Sequence, residues 1–212
     1  MLVTYGGPTH PDAEMSRSNM VRKFELDWIT AQGSQLVQQR NDLVARFLTQ
    51  DHEWALLIDD DMVFEPDLLA RLASHASVER PIVAALTVAF DHANRRLIPT
   101  LYAKGENGVV AHVVAWEPNT VVEVERTGAA CVLIHRSVFE KVRDAGFSVE
   151  RPWFDLGDSG TFGGSGEDIE FFRRVRELGI PILVDTSTHV DHLKTVRFKV
   201  TDYVTQLAKE SV

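Results

Sequence analysis

The sequence predicts an α/β protein: a Rossmann-like, mostly parallel sheet with helices on both faces and a small antiparallel edge. Three observations predict it. Short β-rich runs alternate with longer segments of helical periodicity, the order that builds a parallel sheet covered on both sides. The 212 residues, 44% hydrophobic and 25% charged, have the ordinary globular balance and suffice for one well-buried core. Acidic residues follow directly on apolar runs, which places carboxylates at the sheet's carboxyl edge, where such folds bind ligands.

The elements follow in order. Strands are expected at Leu2–Tyr5, Trp54–Ile58, Ile82–Val88, Val109–Ala115, Val121–Val124, Ala130–His135 and Ile180–Val184. Trp28–Leu48 reads as a helix, with Leu36, Leu43, Val44 and Phe47 at helical spacing. A second helix starts at Glu65-Pro66-Asp67, where Pro suits a first helical position. A third spans Ser137–Ala145 and stops at Gly146; a fourth spans Glu167–Leu178 and stops at Gly179. Arg95–Val124 has short strands and no helix, the pattern of an edge hairpin or meander. With no linker, repeat or low-complexity tract, residues 1–212 read as a single domain.

Composition narrows the classes of function. The longest apolar stretch, Pro81–Phe90, is too short to cross a bilayer. The start MLVTYGGPTHP lacks the basic flank and apolar run of a signal peptide. The single cysteine, Cys131, cannot form an intramolecular disulfide, which suits a cytoplasmic protein. A net charge of −9 disfavours nucleic acid as a partner.

Three motifs bear chemistry. In Leu56-Leu57-Ile58-Asp59-Asp60-Asp61-Met62 a strand ends in carboxylates. Strand alternation would put Asp59 and Asp61 on one face, suited to Mg²⁺ or Mn²⁺, with Asp60 pointing away. An acidic turn capping the next helix would look similar, but adjacent Asp residues carry a repulsion that a cap does not need. Next, Gly163-Gly164-Ser165-Gly166-Glu167-Asp168 opens the fourth helix. It serves equally as a capping box through Ser165 and Asp168 or as a loop beside a reactive carboxylate. Pro152-Trp153-Phe154-Asp155 before it offers aromatics, either as an exposed acceptor surface or as core anchors. Finally, Asp185-Thr186-Ser187-Thr188-His189-Val190-Asp191-His192 follows the last core strand, with Lys194, Arg197 and Lys199 placed to neutralise phosphates.

In order, these pieces resemble the glycosyltransferases of the A-type fold, especially small family-2-like bacterial and phage enzymes. The matching segments are Arg40-Asn41, LLIDDDMVFEPDLLARL, TGAACVLIHRSVFEKV, PWF and GEDIEFFRRVRELGIPILVDTSTHVDHL, spanning residues 36–193. The resemblance implies transfer of a sugar from a nucleoside-diphosphate sugar, UDP- or GDP-linked, to an acceptor hydroxyl. It implies Mn²⁺ or Mg²⁺ held by Asp59, Asp61 and His192, and Asp168, or Glu167, as catalytic base. His192 is preferred to His189 because it precedes Leu193. Arg40, Asn41, Asp60, Gly128, Trp153 and Lys194 would surround the donor. The family's uridine-contacting acidic residue has no counterpart before Asp12. The acceptor is left open among protein, glycan, small molecule and modified nucleobase.

Rivals fit less well. A haloacid-dehalogenase-like phosphatase also uses strand-DxDx(T/V), but on its first strand, with a later GDxxxD that Gly157-Asp158 does not continue. A sugar nucleotidyltransferase needs a basic glycine-rich N-terminal loop, which Gly6-Gly7-Pro8 does not supply. A non-catalytic, metal-dependent nucleotide-sugar-binding module differs from the enzyme only in turnover.

Overall fold

The computed structural model describes residues 1–5, 10–31, 35–91, 96–105, 107–113, 115–157, 166–194 and 200–201. Residues 6–8, Asp158, 163–165, Arg197 and Lys199, all named above, lie outside the described residues.

The first half runs β1 (Leu2–Tyr5), α1 (Pro11–Phe24), β2 (Trp28–Ala31), α2 (Leu36–Leu48), β3 (Trp54–Asp59), β4 (Met62–Val63), α3 (Leu68–His75) and β5 (Ile82–Leu86). A run of strands follows: β6 (Val88–Asp91), β7 (Arg96–Pro99), β8 (Leu101–Lys104), β9 (Val110–His112), β10 (Val121–Val124) and β11 (Arg126–Thr127). The chain then forms β12 (Cys131–His135), α4 (Arg136–Asp144), α5 (Glu167–Glu177), β13 (Ile182–His189) and β14 (Asp191–His192).

Seven strands make the central sheet, in the order β10-β13-β5-β12-β3-β1-β2. Strands β2, β1 and β3 are parallel, as are β5 and β13, while β12 is antiparallel to both its neighbours. The expected antiparallel edge is present as β10 against β13. The central antiparallel β12 has a topological cause. Strand β10 runs toward the amino edge, and the chain then returns to the carboxyl edge, where Cys131 pairs with Ile58, so β12 starts there and runs against β3 and β5.

Helices cover both faces. On one, α2, α4 and α5 bury Leu43, Phe47, Phe139, Val142, Phe171 and Val175 against Val3, Leu57, Ala84, Val132 and Val184. On the other, α1 and α3 bury Met20, Leu68 and Leu72 against Leu2, Leu56, Ile58, Val83 and Leu133. Consecutive residues of β3 thus feed opposite cores, and each fully buried aliphatic side chain contributes about 1.5–3 kcal/mol.

One expectation changes, and one further helix joins the fold. Trp28–Ala31 is not the start of a helix but β2, parallel to β1. Its aromatic and β-branched residues suit a strand, and Trp28 Nε1 donates to Thr4 Oγ1 of β1 at 2.8 Å. The segment before it, which shows no apolar stripe, is helix α1. Its buried residues Ala13, Ser16, Arg17 and Met20 have helical spacing, but half of them are polar.

Candidate functional site

The sheet's carboxyl edge gathers the ends of β3, β5 and β13 and, because β12 is reversed, the residues that start it. The pairing Cys131↔Ile58 and the bond from Asp59 N to Ala130 O put Gly128 and Ala129 beside the acidic motif. Strand β3 ends at Asp59, and Asp60 and Asp61 form the turn into β4. Alternation therefore stops at Asp59 and does not fix where Asp61 points. Buried Arg17 holds the turn, donating from Nη1 to Asp60 O at 2.9 Å and from Nη2 to Glu14 Oε2 at 2.9 Å.

Asp59 meets a buried cation. Arg40 of α2 donates from Nη2 to Asp59 Oδ1 at 3.2 Å and pairs through Nη1 with Glu167 Oε1 of α5 at 3.1 Å. Its guanidinium also lies 5.4 Å from the centre of the Phe154 ring, and its side chain is 3% exposed. One guanidinium thus clamps the acidic turn to the first turn of α5.

Asp61 meets a different environment. His192 Nε2 lies 3.0 Å from Asp61 Oδ2, and Lys194 Nζ donates to that same oxygen at 2.7 Å. The strand pair β14–β4 sets this up: His192 pairs with Met62, and Leu193 N donates to Asp61 O at 2.9 Å. His192 Nδ1 is 3.1 Å from Val88 O, which ties the ring to β6. Burial pushes the Asp61 carboxyl up, but the hydrogen bonds from His192 and Lys194 outweigh it and hold its pKa below the ordinary value. Its partner moves oppositely: the bond to Asp61 raises His192, against the burial that lowers it. His189 is elsewhere, with Nε2 2.9 Å from Thr186 O. It lines a separate cleft of about 180 Å³ with Glu65, Arg71 and Ser187.

Among the described residues, no three His, Cys, Asp or Glu side chains form a group that could hold a metal ion. Asp61 and His192 touch, whereas Asp59 is engaged by Arg40. One carboxylate oxygen suits Mn²⁺ or Mg²⁺ when phosphate oxygens fill the other positions, and the added imidazole nitrogen favours Mn²⁺ over the harder Mg²⁺. The Lys194 ammonium now neutralises Asp61, and Asp61 with His192 are the described residues that would hold such an ion in its place.

The first turn of α5 supplies Asp168. Its Oδ1 accepts from Ile169 N at 2.7 Å and its Oδ2 from Ala129 N at 3.4 Å, so α5 and the segment leading into β12 both orient it. Gly166 allows this pose, since a Cβ there would stand 2.8 Å from Asp168 Oδ1. Gly128 is also adjacent; a Cβ on it would lie 3.6 Å from Asp168 Oδ2. Burial and the Asp168 charge push the nearby Tyr102 hydroxyl up to about 12.

The remaining expected donor contacts serve as framework. Asn41 Nδ2 donates to Phe154 O at 2.8 Å, while its Oδ1 accepts from Trp153 N and Phe154 N at 3.2 and 3.3 Å. Trp153 and Phe154 are buried, not exposed, and Trp153 Nε1 donates to Phe139 O at 2.8 Å. Of the two readings of this segment, the structure takes the core anchor.

No protein-family model matches the sequence, and no curated protein matches it. Among solved structures, A197 from STIV is similar over 92% of this chain and 85% of its own, with a TM-score of 0.58 and 18% identity. That likeness is one of fold. A glycosyltransferase involved in the glycosylation of the major capsid of PBCV-1 aligns over 100% of this chain and 98% of its own, with a TM-score of 0.48 and 10% identity. No helix among the described residues is long and apolar enough to cross a membrane.

Arg17 and Tyr102 escaped the sequence reading. Arg17 left a faint signal, three residues after Glu14 and on one helical face with Ala13 and Met20. Tyr102 left none, because its nearness to Asp168 depends on how β8 and β11 meet α5.

Proposed function

We propose that this chain is a metal-dependent glycosyltransferase that moves a sugar from a nucleoside-diphosphate sugar, UDP- or GDP-linked, to an acceptor hydroxyl. One observation carries the reading. Residues of motifs more than a hundred positions apart, Asp61 with His192 and Lys194, and Asp59 with Glu167 through Arg40, meet at one sheet edge. The order of those motifs, which resembles the A-type glycosyltransferases, supports the same assignment.

A divalent cation bound by Asp61 and His192 would supply positive charge against the departing diphosphate. The chain's own residues do the rest. Lys194 adds a cation to the phosphate side of the site. Asp168 takes the acceptor's proton as the acceptor oxygen bonds to the anomeric carbon and the anomeric C–O bond to phosphate breaks. Each Asp168 oxygen accepts one backbone N–H and keeps lone-pair capacity for that proton. Arg40 holds Glu167, and with it the turn that carries Asp168, at a fixed place relative to Asp59.

Calorimetry with nucleoside diphosphates and Mn²⁺ tests the reading. Affinity should depend on Mn²⁺ and collapse in Asp61→Ala; equal affinity in chelator would refute the site. Sugar-nucleotide hydrolysis or transfer in the same preparation separates an enzyme from a binding module.

A further inference from the structure

We propose that Lys194 is a resident counter-ion of Asp61, which a divalent cation must displace, and that the released ammonium then binds the donor's diphosphate. This rests on the metal and diphosphate reading of the site given above. The geometry makes the exchange necessary. His192 and Lys194 converge on one oxygen, Asp61 Oδ2, at 3.0 and 2.7 Å. An ammonium at that distance occupies ground that a cation would take, and two positive ions cannot share it without strong repulsion.

The geometry also makes the exchange feasible. The Lys194 side chain is 57% exposed and sits on a flexible stem, so leaving Asp61 exposes little new surface and breaks one ion pair. Arg40 differs. It is 3% exposed and held by Asp59, Glu167 and Phe154 at once. Of these two resident cations, Lys194 is therefore the exchangeable one. The bond from Leu193 N to Asp61 O keeps the Lys194 backbone at the turn, so a displaced ammonium stays beside the anion that accompanies the metal.

The test uses Mn²⁺ alone, followed by inorganic pyrophosphate with saturating Mn²⁺, a pair of probes that needs no knowledge of the base or sugar. Lys194→Gln keeps length and polarity and removes charge, and Lys194→Arg keeps charge. Calorimetry should show Lys194→Gln binding Mn²⁺ roughly fivefold more tightly than wild type, the scale of one exposed ion pair removed from competition. The same variant should bind pyrophosphate roughly fivefold more weakly, with Lys194→Arg close to wild type in both titrations. Unchanged or weaker Mn²⁺ binding in folded Lys194→Gln, with binding lost in Asp61→Asn, overturns the exchange and leaves the metal reading standing. Full Mn²⁺ binding in Asp61→Asn, or no Mn²⁺ binding in wild type and Lys194→Gln alike even with pyrophosphate present, overturns the metal reading and the exchange with it.

Discussion

Asp59 and Asp61 stand two positions apart in one acidic run, yet the structure treats them differently. Asp59 closes β3 and faces a guanidinium buried to 3% exposure, which also grips Glu167. Asp61 sits in the turn and faces an imidazole and a lysine that is 57% exposed. Removing one partner from a buried ion pair costs about 3–5 kcal/mol, whereas an exposed pair is worth less than about 1 kcal/mol. The same chemical motif therefore divides its labour. The Asp59 side fixes the frame around Asp168, and the Asp61 side is the one we propose exchanges partners with a ligand.

The largest expected effect tests what the fixed side holds in place. Asp168→Asn preserves shape and one acceptor oxygen but removes basicity. Turnover should fall by about two to four orders of magnitude with metal and donor binding kept. A cap alone would predict a stability loss of about 1 kcal/mol and nearly intact activity. Steady-state kinetics on the folded variant decides between them, and near-wild-type turnover moves the base to Glu167 or Asp155.

Arg40→Met comes next and breaks the clamp itself. It should destabilise the fold by about 3–5 kcal/mol in denaturant titrations, because Asp59 and Glu167 lose their cation in a buried setting. Adding Asp59→Asn to Arg40→Met should recover part of that loss. A cost below about 1 kcal/mol would erase the contrast between the two carboxylates.

The division was half legible beforehand. Apolar runs ending in carboxylates, and Gly146 and Gly179 at helix ends, are local signals, and the strands and helices they imply recur with shifts of a few residues. Alternation failed beyond Asp59 because the strand ends there, and a turn's geometry is set by Arg17 from a distant helix. The family resemblance groups Asp59, Asp61 and His192 as metal ligands and offers no sign of the direct Asp61–His192 bond or of the Arg40 bridge. A guanidinium joining β3 to α5 is a product of packing, which leaves no trace in local spacing. Trp153 illustrates the same limit, since an aromatic beside a glycine-rich loop reads identically whether it faces solvent or, as here, the core.

On the Asp61 side, His192→Ala should weaken Mn²⁺-dependent nucleotide binding by roughly ten- to a hundredfold. Stability should fall by less than about 1 kcal/mol, because Lys194 still pairs with Asp61 when the imidazole is gone. His189→Ala should do much less, since that ring bonds Thr186 O and lies off Asp61. The opposite ranking in paired titrations would hand the site to the other histidine.

The smallest effect separates the two carboxylates by pH, in chelator, with no ligand present. The His192 pKa is raised above its ordinary 6.5 by Asp61, so its stabilisation is complete below that value and is lost as pH rises through the folded pKa. The Asp61 pKa is lowered from 3.8, with burial opposing the bonds from His192 and Lys194, so its contribution is present above that value and is lost only as pH falls below it. Together they make the pair strongest between about pH 4 and 6.5. Arg40 does not titrate in any accessible range, so the Asp59 clamp has no alkaline loss of this kind. Urea titrations at pH 5.5, 7 and 8.5 should show wild type losing less than about 1 kcal/mol toward alkaline pH, a screened value because both partners reach solvent. In His192→Gln that increment should vanish, because glutamine keeps a hydrogen bond to Asp61 but gains no charge on the acid side. An identical alkaline slope in both proteins would mean that Lys194, charged throughout this range, already satisfies Asp61 and that His192 adds nothing to the folded state.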